Sequence, residues 1–183
     1  MTLHRATRFA LAVGMLGLPG IARAQGFGLN EIGSCALARG FATTGAPCDD
    51  ASSIYWNPGA VPKTHGLTAL AGVAAIKLAG DFTQDTTLAT HDMDVSTEWV
   101  PHLFVNYRTS GSVAYGLGVY VPYGLTSQWS DDFPGRFAAL KASLHTIYVQ
   151  PNVSYAFSDD WSVGIGPVFG FSSVELIQSV DLS

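Results

Sequence analysis

From His65 onward, large apolar residues alternate with small or polar residues in runs of about ten positions. In the run 161–172, every second residue from Trp161 is large or apolar, and glycine and serine fill most of the positions between them. A period of two places the two sets on opposite faces of a β-strand. The alternation predicts strands at 67–78, where it is poorest, and at 101–108, 113–121, 144–157 and 161–172.

The connections between these runs alternate in length. Residues 109–112 and 158–160 are short links, whereas 80–98 and 125–143 are long. Short turns on one side of a membrane and long loops on the other are typical of outer-membrane barrels, as are tyrosine and tryptophan near the strand ends. We therefore predict an all-β fold, a transmembrane antiparallel β-barrel, although a soluble β-sandwich would show the same alternation.

The alternation also assigns a lumenal side and a lipid side to each strand. Small and polar residues are expected inside, and large apolar residues outside. The inward set is predicted to include His102, Asn106, Gly116, Gln150 and Gly164, and the outward set Val105, Leu117, Val149 and Ile165.

The first 24 residues have the pattern of a secretory signal peptide. Arg5 and Arg8 precede an apolar run at 9–18, and Ala22 and Ala24 form a small-x-small cleavage site. This run is about half the ~20 residues that a spanning helix needs, which argues against an uncleaved anchor. The mature chain is expected to begin at residue 25.

Residues 25–60 are rich in glycine and alanine and have no sustained period. They contain too few large apolar side chains to build a core, so we expect them to be ordered only inside an enclosure. The domain prediction is therefore a plug, or hatch, at 25–60, followed by barrel strands at 61–183. Cys35 and Cys48 both lie in the hatch, and export favours a disulfide between them.

Composition and charge exclude several classes of function. Only 13% of residues are charged and 48% are hydrophobic, which is a low charge fraction for a soluble domain. The formal net charge of −5 argues against nucleic acid as a partner. No catalytic or phosphate-binding motif occurs, so no enzymatic role, cofactor or metal is predicted. The acidic stretch 81–98 could hold a hard cation, but its spacing favours a solvated loop.

Dispersed motifs, taken in order, resemble the outer-membrane family of long-chain fatty acid transporters, which also includes porins for toluene and other aromatic hydrocarbons. These motifs lie at 26–31, 37–40, 49–51, 57–59, 99–102, 122–125 and 161–164. The resemblance covers the mature chain and implies the bacterial cell outer membrane and a fourteen-stranded barrel with an N-terminal hatch. About the first five strands would lie here, so we expect the N-terminal portion of a longer protein.

The resemblance also implies a function. A monomer would take up a hydrophobic small molecule passively, either a long-chain fatty acid or an aromatic hydrocarbon, and release it sideways into membrane lipid. The ligand would be captured in an apolar groove under the external loops, partly from 125–143, and would pass to a pocket at Gly26, Phe27 and Leu29.

Two motifs are candidates for the exit. Pro122, Tyr123 and Gly124 follow a well-patterned strand, which from the residues alone either ends or bends there; the resemblance implies a kink and a lateral opening. Asn57, Pro58 and Gly59 are either an ordinary turn or the gate of the hatch. We expect these three residues to contact the opening at 122–124. The family has Asn-Pro-Ala there, so Gly59 is a departure.

Alternatives from other classes stay open. A general polar-solute porin would need no plug, and a structural or adhesive surface barrel would need no kink. Residues 174–178 contain no arginine or lysine, although the fatty acid transporters of the family have a basic residue late on the fifth strand. This absence weakens the fatty acid interpretation and leaves uncharged hydrocarbons open, although later strands could supply a cation.

Overall fold

The computed structural model describes residues 28–94 and 96–181, so the predicted signal peptide, Gly26 and Phe27 lie outside the described residues. Two short α-helices and a 3₁₀ helix come first: α1 Ser34–Ala38, α2 Ser53–Trp56 and the 3₁₀ helix Pro58–Lys63. The strands that follow are β1 Leu67–Lys77, β2 Asp81–Thr83, β3 Thr90–Asp92, β4 Thr97–Arg108, β5 Val113–Tyr120, β6 Gly124–Gln128, β7 Lys141–Ala156, β8 Ser162–Ile165 and β9 Phe169–Ile177. Within the described part of the chain, no helix is long and apolar enough to cross a membrane.

Seven of the strands form one antiparallel sheet, called the wall below. β1 pairs with β4, β4 with β5, and β5 with β7. β6 pairs with the same edge of β7 as β5 does, whereas β8 and β9 pair with the opposite edge. The wall therefore has five strands in order: β1, β4, a third made of β5 and β6, β7, and a fifth made of β8 and β9. β2 and β3 make a separate hairpin in the first long loop. The predicted antiparallel, barrel-type, all-β fold is confirmed.

The predicted strand runs agree with β1, β4, β5 and β7 apart from their ends, but two other predictions were wrong. The run 161–172 is not one strand, because residues 166–168 separate β8 from β9. The loop predicted at 125–143 is shorter, because β6 and the start of β7 occupy its two ends. In the first place ladder pairs are lost, and in the second the alternation changes phase because residues 121–123 separate β5 from β6.

Residues 28–64, called the N-terminal segment below, pack on the small and polar face of the wall. Its contribution to the core is Ile32, Ala51, Ile54 and Val61, and that of the wall is Phe104, Ala114 and Tyr120. Glycine makes room for this contact, since a Cβ at Gly116 would lie 2.7 Å from Ile54 Cδ1. The Asn106 amide donates a hydrogen bond to Ser53 Oγ at 3.3 Å. The face predicted to point inward is thus the one that the segment covers.

The opposite face of the wall is apolar and exposed. Its large side chains include Leu103, Tyr107, Tyr115, Leu117, Ile147, Val153, Tyr155, Val163, Ile165, Phe169 and Phe171. On β7 the outward apolar positions run from Ile147 to Tyr155, which is about 26 Å along the strand. At a strand tilt of about 40° this becomes roughly 20 Å across a membrane, close to the ~25 Å apolar band of outer-membrane barrels. This face therefore has the chemistry and approximate height of a lipid-facing surface.

Candidate functional site

The third wall strand is interrupted at Val121, Pro122 and Tyr123. Tyr120, at the end of β5, lies opposite Tyr148, and Gly124, at the start of β6, lies opposite His145. Three residues of the third strand therefore face two residues of β7, which is a β-bulge. The extra residue reverses the phase of the strand, so that odd-numbered residues of β6 share the face of even-numbered residues of β5.

Above this bulge the wall has a gap. β5 pairs with β4 only between His102 and Arg108. Residues 97–101 of β4 pair with β1 alone. Among residues 28–94 and 96–181, no ladder joins β4 to β6. A hollow of about 160 Å³ lies at this place, and it is lined by Pro101, His102, Leu103, Val119, Tyr120, Val121 and Ile147. Most of these side chains belong to the outward apolar face, so the hollow opens toward the lipid side.

Tyr120 closes the inner side of the hollow. Its ring centroid lies 5.0 Å from that of Tyr55, 5.7 Å from Phe104 and 5.9 Å from Tyr148. Its hydroxyl donates a 2.7 Å hydrogen bond to Gln150 Oε1, and only 4% of the residue is exposed. The ring is therefore held by contacts on several sides and by one buried hydrogen bond.

The beginning of the N-terminal segment lies directly at the bulge. The Leu29 backbone N–H donates to the Pro122 carbonyl at 2.8 Å, and Leu29 Cδ1 lies 3.9 Å from where a Cβ of Gly124 would be. Further along, burial raises the pKa of the Tyr55 phenol, and Tyr123 and Glu31 raise it further. The structure thus brings Leu29 together with Pro122, Tyr123 and Gly124, while Gly26 and Phe27 lie outside the described residues.

Asn57, Pro58 and Gly59 lie elsewhere on the wall. The Pro58 carbonyl accepts a 2.7 Å hydrogen bond from Ser154 Oγ, and Asn57 holds its own turn by accepting from Gly59 N–H at 3.1 Å. Ser154 is nine residues along β7 from His145, the partner of Gly124, which is roughly 30 Å. The expectation that the 57–59 turn contacts the 122–124 motif is therefore wrong. The turn fits against β8 instead, because Gly164 has no side chain to displace Pro58.

The predicted disulfide is present. Cys35 and Cys48 are bonded, with their Cα atoms 6.3 Å apart, and they join α1 to the loop that precedes α2. The two sulfurs and an Asp50 carboxylate oxygen lie within 4.8 Å of one another. Because both sulfurs are in the disulfide, they cannot serve as thiolate ligands, and this cluster does not make a metal centre.

A second apolar surface lies on the inner face, beyond the bulge. A cavity of about 300 Å³ is lined by Leu78, Leu125, Thr126, Ser127, Ala142, Ser143, Leu144, Val174 and Leu176. At the same level the outward positions are polar, with the Lys141 ammonium 2.6 Å from Glu175 and Thr126 Oγ1 2.9 Å from Ser143 Oγ. Polarity is thus reversed relative to the apolar band below, where the inner face is polar and the outer face apolar.

Tyr120, Gln150, Leu78 and Leu144 were not predicted as site residues, whereas Leu125 belongs to the stretch 125–143 that was expected to contribute an apolar groove. A signal for the cavity was present, since Leu125 continues an inward alternation once one residue is skipped at the bulge. Tyr120 carried no signal of its own, because a tyrosine near a strand end is equally expected at a membrane interface.

These features define the class of the protein. An antiparallel wall with an exposed apolar band, short turns at one end, long loops at the other and a polar inner face belongs to an outer-membrane β-barrel. The family model described as "Outer membrane protein transport protein (OMPP1/FadL/TodX)" matches residues 16–183, and the chain belongs to this family. Its location is accordingly the outer membrane of a Gram-negative bacterium.

Individual relatives agree with this assignment. The chain is 29% identical over 164 residues to the long-chain fatty acid transport protein of Escherichia coli O6:H1, covering 87% of this chain and 37% of that protein. It is 27% identical over 175 residues to outer membrane protein P1 of Haemophilus influenzae, covering 85% and 38%. A crystal structure of a Pseudomonas aeruginosa FadL homologue has a similar fold, with a TM-score of 0.64 at 21% identity over 84% of this chain and 39% of that one. The chain therefore spans less than two-fifths of the length of these relatives.

Proposed function

We propose that the full-length protein takes up hydrophobic small molecules passively across the outer membrane and releases them sideways into the lipid. The observation that carries this proposal is the gap between β4 and β6, with its apolar hollow on the lipid side. A hydrophobic solute gains free energy by leaving water for lipid, at about 25 cal/mol per Å² of apolar surface. A side exit lets it do so without crossing the polar part of the lumen.

Residues 25–60 act as the hatch of this barrel in our proposal. Their described part covers the inner face of the wall and shares a core with Phe104, Ala114 and Tyr120. A segment that fills the inner face leaves little room for the open lumen of a general porin, which favours a selective transporter over that alternative.

The ligand route follows the apolar surfaces. We propose that a ligand enters the cavity bordered by Leu125, Leu144 and Val174, and then moves toward the pocket at Gly26, Phe27 and Leu29. The Leu29 N–H is hydrogen-bonded to the Pro122 carbonyl. Displacement of this first stretch of the hatch would therefore uncover the gap beside Pro122, Tyr123 and Gly124. Asn57, Pro58 and Gly59 keep the rest of the hatch in place.

The relatives suggest long-chain fatty acids as ligands, and the cavity suggests uncharged molecules. None of the described residues that line the cavity is basic, and Lys141 faces the outside, where it is paired with Glu175. We therefore propose aromatic or other uncharged hydrocarbons beside fatty acids, with no enzymatic step and no cofactor.

The bulge is the feature to test. Deleting Tyr123 and replacing Pro122→Val removes the extra residue and restores a ladder donor, so the third strand should run straight and pair with β4. In full-length protein expressed in a Gram-negative host without its own transporter, we expect uptake of labelled toluene and oleate to fall to the level of the empty host.

The matched control deletes Ser110 from the exposed turn between β4 and β5, which shortens the chain by one residue away from the gap. This variant should transport normally. Both variants should keep the heat-modifiable mobility of a folded barrel on SDS gels. Uptake at the wild-type rate by the straightened variant would rule out the lateral exit.

A further inference from the structure

The wall contains a second interruption, between β7 and the fifth wall strand. Val153 lies opposite Ile165, and Val149 lies opposite Phe169, so the register is the same on both sides of the break. Continuing this register places Pro151 opposite Pro167. Residues 166–168 belong to no strand, although no residue is inserted or lost there. This stretch is called the seam below.

The two prolines account for the extent of the break. In an antiparallel pair, opposed residues alternate between positions that exchange two hydrogen bonds and positions that exchange none. Phe157 N–H donates to the Trp161 carbonyl at 2.8 Å in this same register, so every second position back along β7 is a hydrogen-bonded one. Pro151 and Pro167 occupy such a position, and both N–H donors are missing there. The ladder then loses the Pro151–Pro167 pair and one pair on either side of it. These are the three pairs that are absent between β8 and β9. The seam also lies near the middle of the apolar band on β7, where no water is available to replace the lost bonds.

The 57–59 turn of the hatch bridges the two strands beside this seam. On the β7 side, the Pro58 carbonyl accepts hydrogen bonds from Ser154 Oγ at 2.7 Å and from Asn152 Nδ2 at 3.4 Å. On the β8 side, the Gly59 carbonyl accepts a 2.6 Å hydrogen bond from Ser162 Oγ. Gly164 lies against the Pro58 backbone so closely that a Cβ there would collide with it. Two consecutive carbonyls of the hatch therefore accept hydrogen bonds from side chains of two different wall strands.

We propose that Asn57, Pro58 and Gly59 form a clamp that holds the wall closed at the seam. The clamp replaces, from the lumen, the ladder hydrogen bonds that Pro151 and Pro167 remove. It thereby confines lateral passage of hydrophobic ligands to the interruption at residues 121–123. The confinement, but not the clamp itself, depends on the proposed function.

The clamp is tested by backbone amide exchange in full-length protein in detergent. Replacing Ser154→Ala and Ser162→Ala together removes one hydrogen bond on each side of the seam. We expect the amides of β8 to exchange about tenfold faster than in the wild type, because the local opening becomes easier. The matched control is Ser172→Ala, which removes the 3.0 Å hydroxyl contact with Thr146 between the same two wall strands but touches no residue of the clamp.

A repaired wall should not need the clamp. Replacing Pro151→Val and Pro167→Val supplies both missing donors and keeps apolar side chains toward lipid. In this background the two serine substitutions should leave β8 exchange at its wild-type rate. If the serine variant exchanges no faster than Ser172→Ala, or if the proline replacements do not suppress its effect, the clamp is overturned.

Uptake tests the confinement separately. The starting protein lacks the bulge, because Tyr123 is deleted and Pro122 is replaced by valine. Adding Ser154→Ala and Ser162→Ala to it should restore uptake of labelled toluene. The two proline replacements should abolish it again. If exchange rises but uptake is not restored, the seam is no route, and that part of the proposal fails. If the bulge-free protein itself transports normally, the proposed lateral function fails, and the exchange result still decides the clamp.

Discussion

At the scale of single residues, the size of a side chain and not its charge determines the shape of the gap in the wall and the approach of the N-terminal segment. Tyr120 fills the inner side of the wall gap with an aromatic ring, whereas Gly116 and Gly164 let the N-terminal segment approach the wall. A buried hydrogen bond from the Tyr120 hydroxyl to Gln150 also fixes this ring in place. A residue so placed would set the width of the proposed exit.

Replacing Tyr120→Ala should therefore widen the exit. We expect faster uptake of bulky hydrocarbons relative to toluene, together with a local loss of about 3–5 kcal/mol of packing free energy. Tyr120→Phe keeps the ring, loses about 1 kcal/mol with the hydrogen bond, and should keep the wild-type preference. The measurement is the ratio of initial uptake rates for a large and a small hydrocarbon. Equal ratios in the two variants would show that Tyr120 is only a core residue.

At the scale of elements, period-two alternation predicted β1, β4, β5 and β7 because one face of each strand contacts lipid and the other does not. The same rule failed where a single residue or a pair of prolines disturbed the ladder. The bulge at residues 121–123 shifts the phase, so Leu125 appeared to lie in a loop, and Pro167 kept the alternation while removing a donor. The location of the 57–59 turn could not be predicted, because the N-terminal segment has no period and its position depends on which wall positions lack side chains.

The disulfide in the N-terminal segment leads to a prediction at this scale. Replacing Cys35→Ser and Cys48→Ser frees a loop of 13 residues and should cost the segment roughly 3 kcal/mol of stability. In full-length protein in detergent, the backbone amides of residues 39–47 should then exchange faster than in the wild type, because this loop opens more easily. The heat-modifiable mobility of the barrel should not change, because the wall ladders do not involve either cysteine. Exchange at the wild-type rate would show that contacts with the wall alone hold the loop.

At the scale of the whole molecule, polarity changes along the membrane normal as well as across the wall. Within the apolar band the outer face carries large apolar side chains, and the inner face is covered by the N-terminal segment. Beyond the bulge, toward the long loops, the outer positions become polar, with Lys141 paired to Glu175, and the inner positions become leucine and valine. An apolar inner surface outside the bilayer has no lipid to contact, so it is suited to a hydrophobic ligand.

This reversal gives a prediction with a built-in control, because Val174 and Ser173 are adjacent but face opposite sides. Val174 lines the inner cavity, and Ser173 lies opposite His145 on the outward, polar side. Val174→Arg places a charge in an apolar surface and should reduce toluene uptake by full-length protein at least tenfold, whereas a carboxylate ligand gains a partner there. The ratio of oleate to toluene uptake should therefore rise. Ser173→Arg adds the same charge to a solvated face and should leave both rates near those of the wild type. Equal behaviour of the two arginine variants would mean that ligands do not pass along this cavity.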